Sequence, residues 1–129
     1  QGFEFLGYRF EAGRRLVRKK SLMALRDKVR ARTPRNRGGS IESVIASINP
    51  TLKGWYAYFK QAHPFTFSSI DGFIRRRLRA MLRKQKHRPG QGRCANDHQR
   101  WPNSFFADRG LFTMVEAHEA ARQSRCGNN

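Results

Sequence analysis

Four consecutive segments of the chain carry apolar residues at helical spacing, and this pattern constrains the fold more than any other feature. The longest runs from Ile70 to Leu82 and keeps the 3.6-residue period for more than three turns. The three shorter stripes are Leu22, Leu25 and Val29, then Ile41, Val44, Ile45 and Ile48, and then Leu52, Trp55, Tyr56 and Phe59. Because each stripe must be covered, we expect a mainly α protein whose helices pack stripe against stripe.

The first residues follow the two-residue period of a β-strand instead. The segment from Phe3 to Phe10 is rich in aromatic residues, and Phe3, Phe5 and Gly7 alternate in it with Glu4, Leu6 and Tyr8. Residues 11–13 supply a turn, and Arg14-Arg15-Leu16-Val17 reads as a returning strand. An isolated hairpin is only marginally stable. We therefore expect a short N-terminal β-hairpin that packs on a larger sheet, in a piece of a longer protein that begins at Gln1 without a Met. A bundle of about three to four helices should follow it.

Capping residues predict where these helices begin and end. Ser40 is a suitable N-cap for a helix over the Ile41 stripe. Asn49-Pro50 predicts that this helix ends and another begins, because Asn caps well and Pro is favoured at the first helical position. Ser68 and Asp71 have the spacing of a capping box at the start of the next long helix.

The C-terminal third has weaker signals. Residues 87–100 are rich in Pro, Gly, Asn and Asp and read as loop, and the aromatic segment from Trp101 to Phe106 is expected to lie across the core. Thr113 and Glu116 predict the start of a last helix that runs to about Gln123. The expected organisation is a hairpin over 1–18, a helical domain over 19–88 and a C-terminal segment over 89–129.

The charge balance points to a polyanionic partner. The chain has 27 Lys plus Arg against 9 Asp plus Glu, a net charge of +18 at pH 7. Such an excess repels itself unless a polyanion neutralises it, so nucleic acid is the first expectation and an anionic membrane surface the second. No run approaches the roughly 20 apolar residues of a membrane span.

The candidate nucleic-acid-binding residues are basic side chains on the helices and in one loop, with a single aromatic residue. A continuous cationic face over residues 75–86 can follow RNA phosphates. Tyr58 lies off the apolar stripe and is expected to be exposed, whereas core packing is favoured over base stacking for Trp55, Tyr56 and Phe59. The full set is Arg26, Arg30, Arg35, Arg37, Lys53, Tyr58, Arg75, Arg76, Arg79, Arg83 and Lys86.

Searches for metal-binding and catalytic patterns yield no candidate. Cys94 and His98 are four residues apart but lack a second close pair of ligands, so no zinc site is expected. The chain has no paired carboxylates, nucleophile elbow or phosphate-binding glycine loop. Cys94 and Cys126 are expected to be free thiols rather than a disulfide.

Five segments of the chain resemble the sequence motifs of one protein family, and they occur in the same order as in that family. They are Phe5-Leu6-Gly7-Tyr8-x-Phe10, Ile48-Asn49-Pro50-x-Leu52-x-Gly54-Trp55-x-x-Tyr58-Phe59, Ile70-Asp71-x-Phe73-Ile74-Arg75-Arg76-Arg77-Leu78-Arg79, Trp101-Pro102-Asn103-Ser104-Phe105-Phe106-Ala107, and Gly110-Leu111-Phe112. Together they resemble the C-terminal side of group II intron-encoded reverse transcriptase–maturases. The ordered set covers most of the chain, which makes the resemblance specific.

This resemblance implies a polymerase thumb-like maturase (X) domain that binds intron RNA, assists splicing and grips the template–primer duplex. The family's palm aspartates, in a Tyr-Ala-Asp-Asp motif, are absent from this chain. The chain alone is therefore expected to be no enzyme and to hold no cofactor, whereas the parent RNA-directed DNA polymerase would use Mg²⁺. Its expected partners are the intron RNA, the template–primer duplex and the palm and fingers of the same polymerase, in the bacterial cytoplasm and away from any membrane.

Two other classes of function remain open at this level. A free-standing basic nucleic-acid-binding protein, derived from an intron remnant, would have the same composition and the same helical stripes. A basic helical protein that binds membrane surfaces would share the charge, but its apolar stripes would face lipid rather than one another. A measured preference for RNA over vesicles separates these classes.

Overall fold

A small antiparallel sheet comes first in the chain, and helices follow it. The computed structural model describes residues 3–5, 7–34, 38–86 and 95–127. Its strands are β1 (Phe3–Phe5), β2 (Tyr8–Glu11) and β3 (Arg14–Val17). Its helices are α1 (Lys19–Arg32), α2 (Ile41–Phe59), α3 (Pro64–Gln85), α4 (Ala95–Arg100), α5 (Asn103–Asp108) and α6 (Met114–Gly127). The predicted fold class, mainly α with N-terminal antiparallel strands, is confirmed.

The predicted first strand is divided in two by Gly7. The sheet has the order β1-β2-β3, and Tyr8 faces both Phe5 on β1 and Val17 on β3. Gly7 has a φ of +85°, and a Cβ built there would lie 3.1 Å from Cε1 of Phe59. A side chain at this turn would thus be strained in its backbone and crowded against α2. Tyr8 and Val17 are buried, which joins the sheet to the helical core.

Helix α2 continues through the point where a new helix was predicted. Pro50 lies inside it, so the expectation of an end at Asn49 was wrong. An internal proline removes one backbone hydrogen bond. The stripe nevertheless continues on both sides of Pro50, with Ile48 and Leu52 completely buried, and this packing outweighs the local cost. The Asn49 side chain bonds instead to the segment before α6, donating to the Gly110 carbonyl at 2.8 Å.

Helix α3 begins before the predicted capping box. Its N-cap is His63, whose Nδ1 accepts a hydrogen bond from the Phe65 N–H at 3.2 Å. The Ser68 hydroxyl donates to the Phe65 carbonyl at 3.0 Å, within the first turns of the helix. The prediction that Ser68 and Asp71 start this helix was therefore wrong, because Pro64 at its first position already starts it.

The start of the last helix was predicted correctly, but its end and its cap differ. Helix α6 begins at Met114 and continues to Gly127, beyond the expected end near Gln123. The Thr113 hydroxyl donates to Glu116 Oε1 at 2.8 Å, rather than accepting from the helix backbone. The backbone N–H groups of Met114 and Val115 are capped from α3, by the two carboxylate oxygens of Asp71.

The segment after α3 is partly helical. Residues 95–100 form α4, so the loop predicted there was wrong. Residues 87–94, and with them Cys94, lie outside the described residues, as do Arg35 and Arg37. The expectation that the aromatic segment lies across the core is confirmed, because Trp101 is 4% exposed and Phe106 is completely buried.

The core is built around α3. Its apolar face packs against α6, while α1 packs on α2 and α2 also contacts α6. Side chains from every described helix except α4, and from the sheet, form one continuous apolar cluster. The most deeply buried members are Val44, Ile48, Leu52, Phe67, Leu78, Met81, Phe106 and Met114.

Candidate nucleic-acid interface

The arginines of α3 fall into two kinds: those whose guanidinium groups bond to the rest of the protein, and those that line a groove without such bonds. Arg77 is of the first kind. Its Nε donates to Thr33 Oγ1 at 3.1 Å and its Nη2 donates to the Thr33 carbonyl at 2.7 Å. Thr33 is completely buried, and its hydroxyl in turn donates to the Val29 carbonyl at 2.8 Å. Arg77 therefore joins the middle of α3 to the end of α1.

Arg79 is a buried side chain rather than part of an exposed cationic face. It is 2% exposed, its Nε donates to the Trp101 carbonyl at 2.9 Å, and its Nη2 donates to Asn103 Oδ1 at 3.0 Å. Its guanidinium carbon lies 5.3 Å from the centre of the Phe106 ring. Burial lowers the pKa of Arg79, and the nearby positive charge of Arg75 lowers it further. Its contacts make it a residue that holds α5 on α3.

Arg83 is also used inside the protein. It forms an ion pair with Asp97 of α4, in which the side chains are 16% and 2% exposed respectively. Pairs this buried hold their elements in place more than they add stability. The prediction grouped Arg79 and Arg83 with the RNA-facing arginines, but the structure uses both to fix the C-terminal segment to α3.

Arg75 and Arg76 are the second kind. Among the described residues, neither has a hydrogen bond or an ion pair to the protein. Both line a groove of about 590 Å³ between α3 and the α4–α5 segment. We call this the arginine groove, and the described residues that line it are Gly72, Arg75, Arg76, Arg79, His98 and Asn103.

The sequence did not reveal the other residues of the arginine groove. Asn103 belongs to the recognised Trp101–Ala107 motif, but nothing in that motif indicates that it faces α3. His98 falls in a segment that read as loop. The contact between α5 and α3, made through Arg79, brings Asn103 to the groove. Lys86, the last of the predicted basic residues on this face, is exposed at the C-cap of α3.

A second groove lies between α1 and α2, and we call it the aromatic groove. Its volume is about 460 Å³. Tyr58 is 61% exposed, which confirms the expected exposure, whereas Trp55 is half-buried and packs on Phe59 with 4.5 Å between ring centres. Gly54 is exposed, and a Cβ there would meet nothing within 4 Å in the described structure. The described residues lining this groove are Ser21, Ala24, Leu25, Lys28, Pro50, Thr51, Gly54, Trp55, Tyr58 and Phe59.

The predicted arginines of α1 lie over an aromatic ring of α3. The guanidinium carbons of Arg26 and Arg30 are 5.5 and 5.2 Å from the centre of the Phe73 ring. Arg30 also pairs with Asp27 at 3.2 Å on the exposed surface. Both arginines thus pack on α3, while Lys53 is exposed on α2.

Neither a metal cluster nor a membrane helix is seen in the part of the chain that the structure describes. Within residues 3–5, 7–34, 38–86 and 95–127, no three His, Cys, Asp or Glu side chains come together in a way that could hold a metal ion. Over the same residues, no helix combines the length and the apolarity needed to cross a bilayer.

Comparison with known proteins identifies the domain. A search of curated proteins found no match. A family model described as "Group II intron, maturase-specific domain" matches residues 22–101, which is more than half of the 129-residue chain. The matched span begins in α1 and ends at Trp101, and it includes α2, α3, α4 and all the described residues of the arginine groove except Asn103. The chain belongs to the group II intron maturase-specific domain family, whose role is in group II intron splicing.

Proposed function

We propose that this domain binds the RNA of a group II intron through the cationic surface of α3, and that it does so as the thumb of a reverse transcriptase. The observation that supports this most directly is the state of Arg75 and Arg76. Both line the arginine groove, and neither has a hydrogen bond or an ion pair among the described residues. Arginine in such a setting suits phosphate, which its planar guanidinium can bind through two parallel hydrogen bonds.

The overall charge supports a polyanionic partner. The acids are too few to neutralise the bases, and several are already paired, among them Glu42 with Arg109 at 3.5 Å and Asp97 with Arg83. RNA would neutralise the remaining excess and release its own counterions, which favours binding at low salt.

The aromatic groove between α1 and α2 is the part of the domain that suits a nucleic-acid duplex. It combines the exposed Tyr58 with Lys28, and the bare backbone at Gly54 leaves room for a sugar–phosphate strand to approach α2 closely. A-form duplexes are recognised mainly by shape and by backbone and minor-groove contacts. We infer that this groove grips the template–primer duplex when the palm and fingers of the polymerase are present. The catalytic Mg²⁺ would be bound by the palm, and this chain alone would catalyse no reaction. It would bind its RNA in the bacterial cytoplasm.

The proposal is tested by the salt dependence of RNA binding. The affinity for a folded group II intron RNA is measured by fluorescence anisotropy at several salt concentrations, for the natural chain and for Arg75→Gln/Arg76→Gln. Losing two phosphate contacts should weaken binding and reduce the slope of log K against log salt by about two, at ~0.9 per contact. Arg79 and Arg83 stay unchanged, because replacing them would disturb the fold.

Arg14→Gln/Lys60→Gln is the matched control. It removes the same charge from two exposed residues, one on β3 and one at the C-cap of α2, and neither of them lines the arginine groove. Its slope should change less than that of the α3 double variant. An equal change in both variants would mean that only the total charge matters, and an unchanged slope in the α3 variant would exclude its surface from the RNA contact.

A further inference from the structure

The arginine groove offers hydrogen-bond donors rather than acceptors. The guanidinium groups of Arg75 and Arg76 donate only. Asn103 Oδ1 accepts from Arg79 at 3.0 Å, and the amide NH₂ of Asn103 is a further donor for the groove. A ligand that suits such a lining must be rich in acceptors, and a phosphate group has only acceptors in its ionised form.

The floor of the groove, formed by Arg79, lies below the protein surface. Arg79 lines it although only 2% of this residue is exposed, and Gly72 contributes no side chain to fill it. The volume of about 590 Å³ falls in the range of roughly 300–1,000 Å³ typical of small-ligand pockets. The groove therefore has room for a nucleotide, not only for an inorganic phosphate ion.

The charges around the groove favour an anion there. Burial is the main cause of the lowered pKa of Arg79, and the positive charge of Arg75 is the second, so these two guanidinium groups repel each other. Of the nearby acids, Asp97 pairs with Arg83, and Asp71 accepts two backbone N–H groups of α6. The negative charge of Asp97 acts on Arg79 and that of Asp71 on Arg75, but neither acid forms a described ion pair with these two arginines. The imidazole of His98 lies on the α4 wall and adds no negative charge. An anionic ligand would relieve the repulsion between Arg75 and Arg79.

We propose that the arginine groove binds the phosphate of an unpaired RNA nucleotide, one that a bulge or loop projects out of a duplex. This rests on the proposed function, because it assumes that RNA reaches α3. A regular duplex presents its phosphates on a convex cylinder, whereas the Arg79 floor lies below the protein surface. Unpaired nucleotides leave the stack and enter concave sites, as is usual where proteins recognise RNA specifically.

The test compares two RNA stems that differ by one bulged nucleotide. Binding of the full chain to each stem is measured by anisotropy at one salt concentration, for the natural protein and for Asn103→Asp. The new carboxylate can still accept from Arg79, but it replaces the donor NH₂ with an anionic oxygen facing the phosphate. We expect about ten-fold weaker binding of the bulged stem, the loss typical of a hydrogen bond to a charged group, and a much smaller change for the paired stem.

Ser104→Asp is the matched control, because it adds the same charge at the next residue, which is exposed and does not line the arginine groove. Equal losses in Asn103→Asp and Ser104→Asp would overturn the proposal, as would a natural chain that binds both stems equally. If Asn103→Asp melts at a lower temperature than the natural protein, the same two stems are compared with Arg76→Gln instead. The Arg76 side chain is exposed and has no hydrogen bond or ion pair among the described residues, so this change should not affect folding.

Adenosine 5′-monophosphate separates the two possible sources of the phosphate. Competition by this nucleotide at concentrations similar to those of the bulged stem would indicate a site for free nucleotides, and would overturn the proposal for RNA. Failure of the natural chain to bind either stem would instead contradict the proposed function itself. The two failures are therefore distinguishable.

Discussion

Asp71, in the middle of α3, caps the first turn of α6, more than forty residues later in the chain. Its Oδ1 accepts from the Met114 N–H and its Oδ2 from the Val115 N–H, both at 3.0 Å. The carboxylate is 2% exposed and faces the positive end of the α6 dipole. One buried side chain thus sets where the last helix begins and how it lies on α3.

Replacing Asp71 should therefore destabilise the whole domain. Asp71→Ala leaves two N–H groups at the start of α6 without their acceptor, and we expect a loss of about 2 kcal/mol in the free energy of unfolding. Urea denaturation followed by circular dichroism measures it. Ser69→Ala, an exposed change on the same helix, should alter stability by less than about 0.5 kcal/mol. Equal stability of the two variants would contradict the capping role.

Asp71 should also give the domain a specific pH dependence. Burial raises the pKa of this carboxyl above its usual value of 3.8, although the N–H groups of Val115 and Met114 and the charge of Arg75 act in the opposite direction. The folded state therefore binds the proton more tightly than the unfolded state. This group's contribution to stability is largest when it is protonated, and it falls as pH rises from about 3.8 through the folded pKa.

The comparison with Asp71→Asn isolates this effect, because the amide does not titrate. Unfolding free energies of both proteins are measured between pH 3 and pH 7. The stability of the natural chain relative to Asp71→Asn should decrease with rising pH over the acidic part of that range. A relative stability that increases with pH would show that the hydrogen bonds from α6 outweigh burial and that the pKa is lowered instead.

Replacing Arg79 should lower the stability of the domain, whereas replacing Arg76 should lower its affinity for RNA, although the two residues are only three positions apart. Arg79→Gln removes the guanidinium that donates to the carbonyl of the buried Trp101 and to Asn103 Oδ1, and we expect a loss of about 2–3 kcal/mol in the free energy of unfolding. Arg76→Gln changes an exposed side chain and should alter stability by less than about 0.5 kcal/mol while weakening RNA binding. Thermal melts measured alongside RNA affinity test this division. A stable Arg79→Gln would mean that this residue does not hold α5 in place.

The turn at Gly7 should tolerate no side chain. Gly7→Ala places a Cβ at a φ of +85° and 3.1 Å from Phe59 Cε1, so we expect a loss of about 1–3 kcal/mol. Gly13→Ala is the matched control, because this residue has a similar φ of +76° but nothing within 4 Å of the built Cβ. The difference between the two variants measures the contact with α2 alone, and equal losses would show that only backbone strain matters.

Local patterns in the sequence were sufficient to predict the main helices. The apolar stripe from Ile70 to Leu82 predicted the buried face of α3, and the Leu22 stripe predicted α1, in which Leu25 and Val29 are buried. Such patterns succeed because a helical face repeats over neighbouring residues, so its signal needs no knowledge of the partner. Pro50 shows their limit, since the packing of the residues on both sides keeps α2 continuous.

The sequence alone was thus sufficient to recognise the excess of basic residues, the helical stripes and the ordered motifs. These features were also sufficient to predict the family. Only the tertiary structure decided which arginines of α3 remain available: Thr33, Trp101 and Asp97 engage Arg77, Arg79 and Arg83, whereas Arg75 and Arg76 face a groove. The same holds for Asp71, whose spacing suggested a cap on its own helix but whose partners lie on α6. The physical reason is that a hydrogen bond depends on the distance and direction of two groups in space, and these partners are brought together by packing of residues far apart in the chain.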